Sequence, residues 1–217
     1  MAKETMTRLE QLGLIPVLRA RSAKEAHALV DAMVAGGVKV VEVTMTVPGA
    51  IEILKELKQV HGDRLLLGSG TVTTVADCEA TIEAGAEFVV SPSLHLDVIA
   101  ATLKAGKLSI PGALTPTEVI TAWRAGAAYV KVFPCSAVGG AAYLKALKAP
   151  FPEIRLIPTG GVTLTTAADF LHAGASALGV GTDLVNPTAI ARGEPHTIIE
   201  TARRYLQVIA QARIPVS

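Results

Sequence analysis

The sequence predicts a single α/β domain folded as a (β/α)8 TIM barrel, on three observations. Eight short β-branched runs recur along the chain, each followed by a segment of helical periodicity. Five of the helical segments end in Ala-Gly just before the next run, at Ala35-Gly36, Ala84-Gly85, Ala105-Gly106, Ala125-Gly126 and Ala173-Gly174. A left-handed glycine there turns the chain back into the sheet. Finally, half of the 217 residues are apolar, 18% are charged and only 4% are aromatic, so the core is built from Ala, Val, Leu and Ile. That composition suits helices packed on a buried parallel sheet.

The elements follow in order. An N-terminal helix is expected over about residues 1–13, followed by a first strand in LIPVLR (14–19). The next segment, SAKEAHALVDAMVAGG, has a capping serine, apolar residues three and four apart and a terminal glycine, which together read as a helix. Strand two is VKVVEVT (38–44) and strand three LLLGSG (65–70). TVADCEATIEAGA repeats the helix pattern with a capping threonine before strand four, EFVVSP (87–92). Strands five to eight are LSIPG (108–112), AYVKVF (128–133), RLIPTG (155–160) and ALGVG (177–181). TIIETARRYLQVIAQAR supplies a closing helix over about 195–213, with Arg203 and Arg204 read as solvated. A doubly wound open sheet shares this alternation, but PVLRARSAKEA after the first strand has no glycine and so no dinucleotide fingerprint.

A formal charge of +1, with acids and bases mixed along the chain, leaves no electrostatic footprint for nucleic acid or an anionic membrane. The expected partner is a small molecule. No apolar stretch reaches the ~18 residues of a membrane span, and MAKETMTRLEQLG has no secretory pattern. A cytoplasmic location is expected. Cys78 and Cys135 stand far apart, against a disulfide framework, and the five histidines show no metal-ligand spacing, so neither a metal nor a cofactor is expected.

In a barrel, catalytic groups sit toward the C-terminal ends of strands, which sorts the strand charges. Lys39, Glu87 and Arg155 begin their strands and read as solvation or structure, whereas Arg19, Glu42 and Lys131 come late and can converge on the open end. Tyr129 and Phe133 share the face of Lys131, while Val130 and Val132 turn toward the helices. Lys131 and Glu42 form either a buried structural ion pair or a working pair. In the second reading, burial that disfavours the charged amine lets Lys131 attack a carbonyl, and Glu42 moves protons on the bound substrate. After strand seven comes PTGGV, with Thr159, Gly160 and Gly161; after strand eight comes GVGTDLV, with Gly179, Gly181 and Thr182. Adjacent glycine loops at these two strand ends suit a phosphate, though tight turns alone would use the same residue. Thr71, in GSGTV, can bind a carboxylate or cap the next helix, and Pro92 lies on the same rim. Cys135, with no histidine near it in sequence, reads as filler.

GGVKVVEVTMT, GSGTV, AGAEFVVSPSL, IPGALTPTE, YVKVFP and PFPEIRLIPTGGV, in that order, carry a resemblance over about residues 11–190. The chain resembles the class I aldolases that cleave 2-keto-3-deoxy-6-phosphogluconate, and their relatives acting on 4-hydroxy-2-oxoglutarate or 2-keto-3-deoxy-6-phosphogalactonate. The resemblance implies a Schiff-base Lys131, Glu42 as general acid/base, phosphate on the PTGG and GVGT loops, pyruvate as product and a homotrimer. Many such enzymes carry an arginine four residues after the glutamate; here that position is Thr46, and Arg19 is the candidate to supply the missing charge to the substrate carboxylate. A phosphosugar enzyme without a Schiff base, and a silent barrel used as an assembly subunit, are the alternative readings.

Overall fold

The computed structural model describes residues 2–213. In chain order its elements are α1 (Ala2–Leu12), β1 (Leu14–Leu18), α2 (Ala23–Ala35), β2 (Val40–Thr44), α3 (Ala50–His61), β3 (Leu66–Gly70), α4 (Val75–Glu83), β4 (Phe88–Val90) and α5 (Leu96–Lys104). The alternation continues through β5 (Leu108–Ile110), β6 (Gly112–Ala113), α6 (Pro116–Arg124), β7 (Val130–Val132), α7 (Gly140–Lys148), β8 (Leu156–Pro158), α8 (Ala167–His172) and β9 (Leu178–Val180). Two helices, α9 (Pro187–Ala191) and α10 (Pro195–Ala212), end the described chain.

Every strand pairing is parallel. A curled six-stranded sheet runs β5-β4-β3-β2-β1-β9, and a three-stranded sheet runs β6-β7-β8. Each expected strand forms, but the fifth is split. Pro111 has no N–H to give the ladder and divides LSIPG into β5 and β6. Its carbonyl still accepts from the Lys131 amide at 2.9 Å, and Ser109 O accepts from Ala128 N at 3.1 Å. On the other side of the short sheet, single parallel bridges join Leu156 to Ala175 and Thr159 to Gly179.

The strand period of two sorts the core into two faces. Ile15, Val40, Leu66, Phe88, Leu108, Tyr129, Ile157 and Ala177, two residues apart from the site positions discussed below, cluster on the inner face with Leu9 of α1. Leu18, Val41, Val43, Leu67, Val130, Val132, Leu156 and Val180 pack outward among helix residues such as Leu29, Met33, Leu54 and Leu144. Val130 and Val132 therefore face the helices as their alternation with Lys131 requires. Helix α1 lies across the N-terminal strand ends, where Tyr129 donates to Met6 O at 3.1 Å and Arg155 meets Glu10 at 3.0 Å. Glu87 pairs with Lys107 at 2.9 Å, so Glu87 and Arg155, two of the three charges at strand starts, serve structure.

Local chemistry explains the helix ends. Ser22 caps α2 and Thr74 caps α4, each accepting an amide from the residue three further on. Thr115 and Glu118 form a reciprocal capping box at α6. Four of the five Ala-Gly endings have their glycine at positive φ, at Gly85, Gly106, Gly126 and Gly174. The fifth differs: Gly36 is right-handed, with φ −78°, and Gly37 makes the left-handed turn at φ +97°. Gly36 is the right-handed C-cap, as Ala84 and Ala125 are at their helices, and it is a glycine where α10 packs close, since a Cβ would come 2.6 Å from that of Ala202.

Candidate active site

Two charged side chains from different sheets meet across the strands. Lys131, at the centre of β7, and Glu42, at the centre of β2, are 6% and 3% exposed, and Lys131 Nζ stands 3.8 Å from Glu42 Oε1. That separation is too long for a hydrogen bond. Glu42 Oε1 is buried with no hydrogen-bond partner. The geometry is poor for a structural ion pair, which needs the remaining lone pairs satisfied to offset desolvation. It leaves a buried amine and a buried carboxylate facing each other across 3.8 Å. Lys131 Nζ also lies 5.4 Å from the centre of the Phe133 ring, an apolar wall with a cation-attracting face.

Desolvation pushes the Glu42 carboxyl above the ordinary carboxylate range, outweighing the opposing charges of Lys131 and then Arg19. A carboxyl so placed exchanges its proton nearer neutrality than an exposed one. Gly70 makes room for it. A Cβ on Gly70 would lie 2.0 Å from Glu42 Oε1, so the glycine of GSGTV gives the carboxylate its place.

A cavity of about 460 Å3 opens beside this pair, within the range of small-molecule sites. Arg19, Lys131, Phe133, Thr159, Gly160, Gly161, Gly181 and Thr182 line it. Arg19, at the end of β1, is exposed, and among the described residues it has no hydrogen bond or ion pair. Gly160 and Gly161 have φ +86° and +76°, a pair of left-handed residues that only glycine adopts readily. Gly161 is further constrained, since its Cβ would fall 2.0 Å from Ser136 Oγ of the loop after β7.

Thr46, Thr71 and Pro92 lie at the rim without lining this cavity. Thr46 is exposed and bonds to Thr44 Oγ1 at 2.8 Å, while Thr44 donates to Leu18 O at 2.9 Å. The hydroxyl there supports the strand end and offers no positive charge. Thr71 does not cap α4, since Thr74 does. It takes φ +58°, the only positive φ of any non-glycine residue among the described residues. A β-branched residue at such a φ is backbone strain. Pro92 packs against the β6 backbone, where a Cβ on Gly112 would be 2.3 Å from its carbonyl.

Four cavity residues were not singled out in the sequence: Val17, Val162, Thr163 and Asp183. Val17 carried a signal, two residues before Arg19 on the same strand face. Asp183 stood inside GVGTDLV, next to Thr182, but no local pattern showed what it would touch. Cys135 is fully buried, its thiol pushed up to about 11 by burial, with Gly140 O at 3.7 Å; it fills space. Among the described residues no cluster of three His, Cys, Asp or Glu side chains is placed to hold a metal.

Comparison with known proteins agrees with this geometry. The model of the family described as KDPG and KHG aldolase matches residues 5–201. The chain belongs to this family. Among curated members, the aldolase is 35% identical over 202 residues to the 2-dehydro-3-deoxy-phosphogluconate aldolase of Treponema pallidum, covering 93% of this chain and 95% of that one. It is 37% identical over 175 residues to the 2-dehydro-3-deoxy-6-phosphogalactonate aldolase of Escherichia coli K12, covering 80% and 85%. Among solved structures, the KDPG aldolase of Legionella pneumophila, with pyruvate captured at low pH as a covalent carbinolamine intermediate, superposes with a TM-score of 0.85 at 30% identity. That likeness covers 92% of this chain and 96% of the other.

Proposed function

We propose that the chain cleaves 2-keto-3-deoxy-6-phosphogluconate, or a close 2-keto-3-deoxy or 4-hydroxy-2-oxo acid, to pyruvate and an aldehyde through a Schiff base on Lys131. For the phosphogluconate substrate the aldehyde is glyceraldehyde 3-phosphate. One observation carries the reading: a buried lysine and a buried glutamate with an unsatisfied oxygen, 3.8 Å apart at the mouth of an aldolase-family sheet.

The Lys131 amine adds to the C2 ketone to give a carbinolamine, and loss of water gives an iminium. Glu42, directly or through one water molecule, takes the proton from the C4 hydroxyl. The C3–C4 bond breaks, its electrons pass into the iminium to form an enamine, and the aldehyde leaves. Protonation at C3 and hydrolysis of the resulting iminium release pyruvate and restore the amine. Phe133 keeps water from the amine, and Arg19 takes the substrate carboxylate in place of the arginine absent at Thr46. Thr71, Pro92 and Thr159 complete the substrate contacts. Gly160, Gly161, Gly181 and Thr182 hold the phosphate, whose contacts far from the breaking bond position the substrate.

The same reading takes the strands as one closed (β/α)8 barrel forming a single domain. Support comes from the Pro111 carbonyl bond at one seam and the Leu156 and Thr159 bridges at the other. A homotrimer in the cytoplasm completes it; no described helix is long and apolar enough to cross a membrane. Sedimentation tests the trimer.

Borohydride trapping with pyruvate tests the chemistry. Reduction should leave one pyruvate-derived adduct, located on Lys131 by peptide mapping and absent from Lys131→Ala. A folded protein that traps nothing would refute the Schiff base and leave a non-covalent phosphosugar enzyme or a silent barrel.

A further inference from the structure

Asp183 is an acid in the wall of a cavity assigned above to an anionic substrate. A free carboxylate beside a phosphate would repel it, so its hydrogen bonds matter. One oxygen, Oδ2, accepts from the amide of Leu164 at 3.1 Å and from the hydroxyl of Tyr205 in a short hydrogen bond. Leu164 belongs to the loop after β8, next to the cavity residues Val162 and Thr163. Asp183 belongs to the loop after β9, next to Thr182. Tyr205 is in α10 and fully buried, with Ala202 and Ile209 of the same helix in the core. One carboxylate oxygen thus joins the two glycine loops to the closing helix. Burial, then the bond to Asp183, pushes the Tyr205 hydroxyl upward in pKa, so it stays a donor at any pH at which the enzyme works.

We infer that Asp183 and Tyr205 are positioning residues that set the spacing between the two loops and so fix the enzyme's preference for a phosphorylated substrate. The inference rests on the phosphate reading of those loops. Both donors bind the same oxygen, which ties Asp183, an exposed residue, to the Leu164 amide and the buried tyrosine. Neither residue touches Lys131 or Glu42, so the effect falls on recognition of the distal end of the substrate and not on the breaking bond. On the opposite side the loop is supported by Cys135 N donating to Thr159 O at 2.9 Å and Ser136 N donating to Gly160 O at 3.1 Å. On the β9 side the start of the loop is tied by the Thr159–Gly179 bridge, and Asp183 holds its far end at Leu164.

The test compares wild type with Asp183→Ala, Asp183→Asn and Tyr205→Phe, using 2-keto-3-deoxy-6-phosphogluconate and its unphosphorylated counterpart. Inhibition by inorganic phosphate is measured alongside. In Asp183→Ala the ratio of kcat/KM for the phosphorylated over the unphosphorylated substrate should fall at least tenfold, chiefly through KM, and phosphate should inhibit correspondingly less well. Asp183→Asn keeps an oxygen that accepts both bonds and should recover most of the ratio. Tyr205→Phe loses one oxygen and should give an intermediate value, which keeps the inference testable if Asp183→Ala does not fold. Equal loss on both substrates would mean a merely structural role, and an unchanged ratio no role; either overturns the clamp while leaving the phosphate reading intact. A wild type that neither prefers the phosphorylated substrate nor responds to phosphate overturns both.

Discussion

Gly70→Ala adds one methyl group at the end of β3 and should disable catalysis while sparing the fold. The new Cβ would lie 2.0 Å from Glu42 Oε1, 2.6 Å from its Cδ and 2.7 Å from its Cγ, against an ordinary contact of 3.4 Å or more. The carboxylate must therefore withdraw by about 1.4 Å, since repulsion rises steeply inside contact distance. A misplacement of roughly 1 Å in a reacting group costs on the order of a hundredfold in rate, so kcat should fall by about that factor, with KM changed much less. The backbone has no objection, because Gly70 is a regular strand residue without positive φ. Gly68→Ala makes the contrast: its Cβ would enter the Phe88 ring at 2.1 Å, within the core. Overpacking there costs about 1–3 kcal/mol and should lower the melting temperature instead. The assay couples pyruvate release to a dehydrogenase and pairs each rate with a melting curve. A Gly70→Ala enzyme within threefold of wild type would refute the placement of Glu42 as the proton-transfer group.

Three further outcomes follow from the same geometry. Because burial holds the Glu42 carboxyl above the ordinary range, and the base form is needed to take the C4 proton, kcat/KM should fall as pH drops through that raised value. Glu42→Gln should remove this acid limb and cost roughly 10²–10⁴-fold; a wild-type limb at the pH of an exposed glutamate would contradict it. Arg19→Ala should raise KM about tenfold or more through loss of a charge-assisted hydrogen bond; an unchanged KM would exclude Arg19 as the carboxylate partner. Thr71→Gly should relieve a left-handed φ of +58° and stabilise the protein by about 1 kcal/mol while weakening substrate binding. A melting temperature below that of wild type would show that the threonine side chain contributes more to stability than its backbone strain removes.

The strands were legible because a parallel sheet buried on both faces demands β-branched runs, and the period of two within AYVKVF showed which residues shared a face with Lys131. Helix caps were legible where the chemistry is local, as at Ser22 and at Thr115 with Glu118. What escaped was settled by contacts across the fold. That residue 36 has no room for a Cβ depends on Ala202, far along the chain. The Thr74 cap of α4 was legible too, as the threonine that opens TVADCEATIEAGA, whereas the left-handed φ of Thr71 was not. The break at Pro111 follows from the residue itself, but the persistence of the ladder through its carbonyl does not. Asp183 could not have been linked to Tyr205 and Leu164 from sequence, because nothing periodic joins three residues on three elements.

The same contrast bears on why Lys131 and Glu42 are there at all. A fold selected for stability would either bring the two into hydrogen-bond contact with every lone pair satisfied or replace them with apolar residues of similar volume, which often stabilises. Neither has happened: the pair is held at 3.8 Å, one carboxylate oxygen has no partner, and a glycine keeps space open around it. Thr71, in the turn that follows this glycine, bears backbone strain as well. These violations of local rules converge between β2 of the six-stranded sheet and β7 of the three-stranded one, while the inner layer from Ile15 through Ala177 is a buried apolar cluster. Proteins break such rules at functional sites. The gap between amine and carboxylate is therefore best understood as room for a C2 carbonyl and the proton transfers around it.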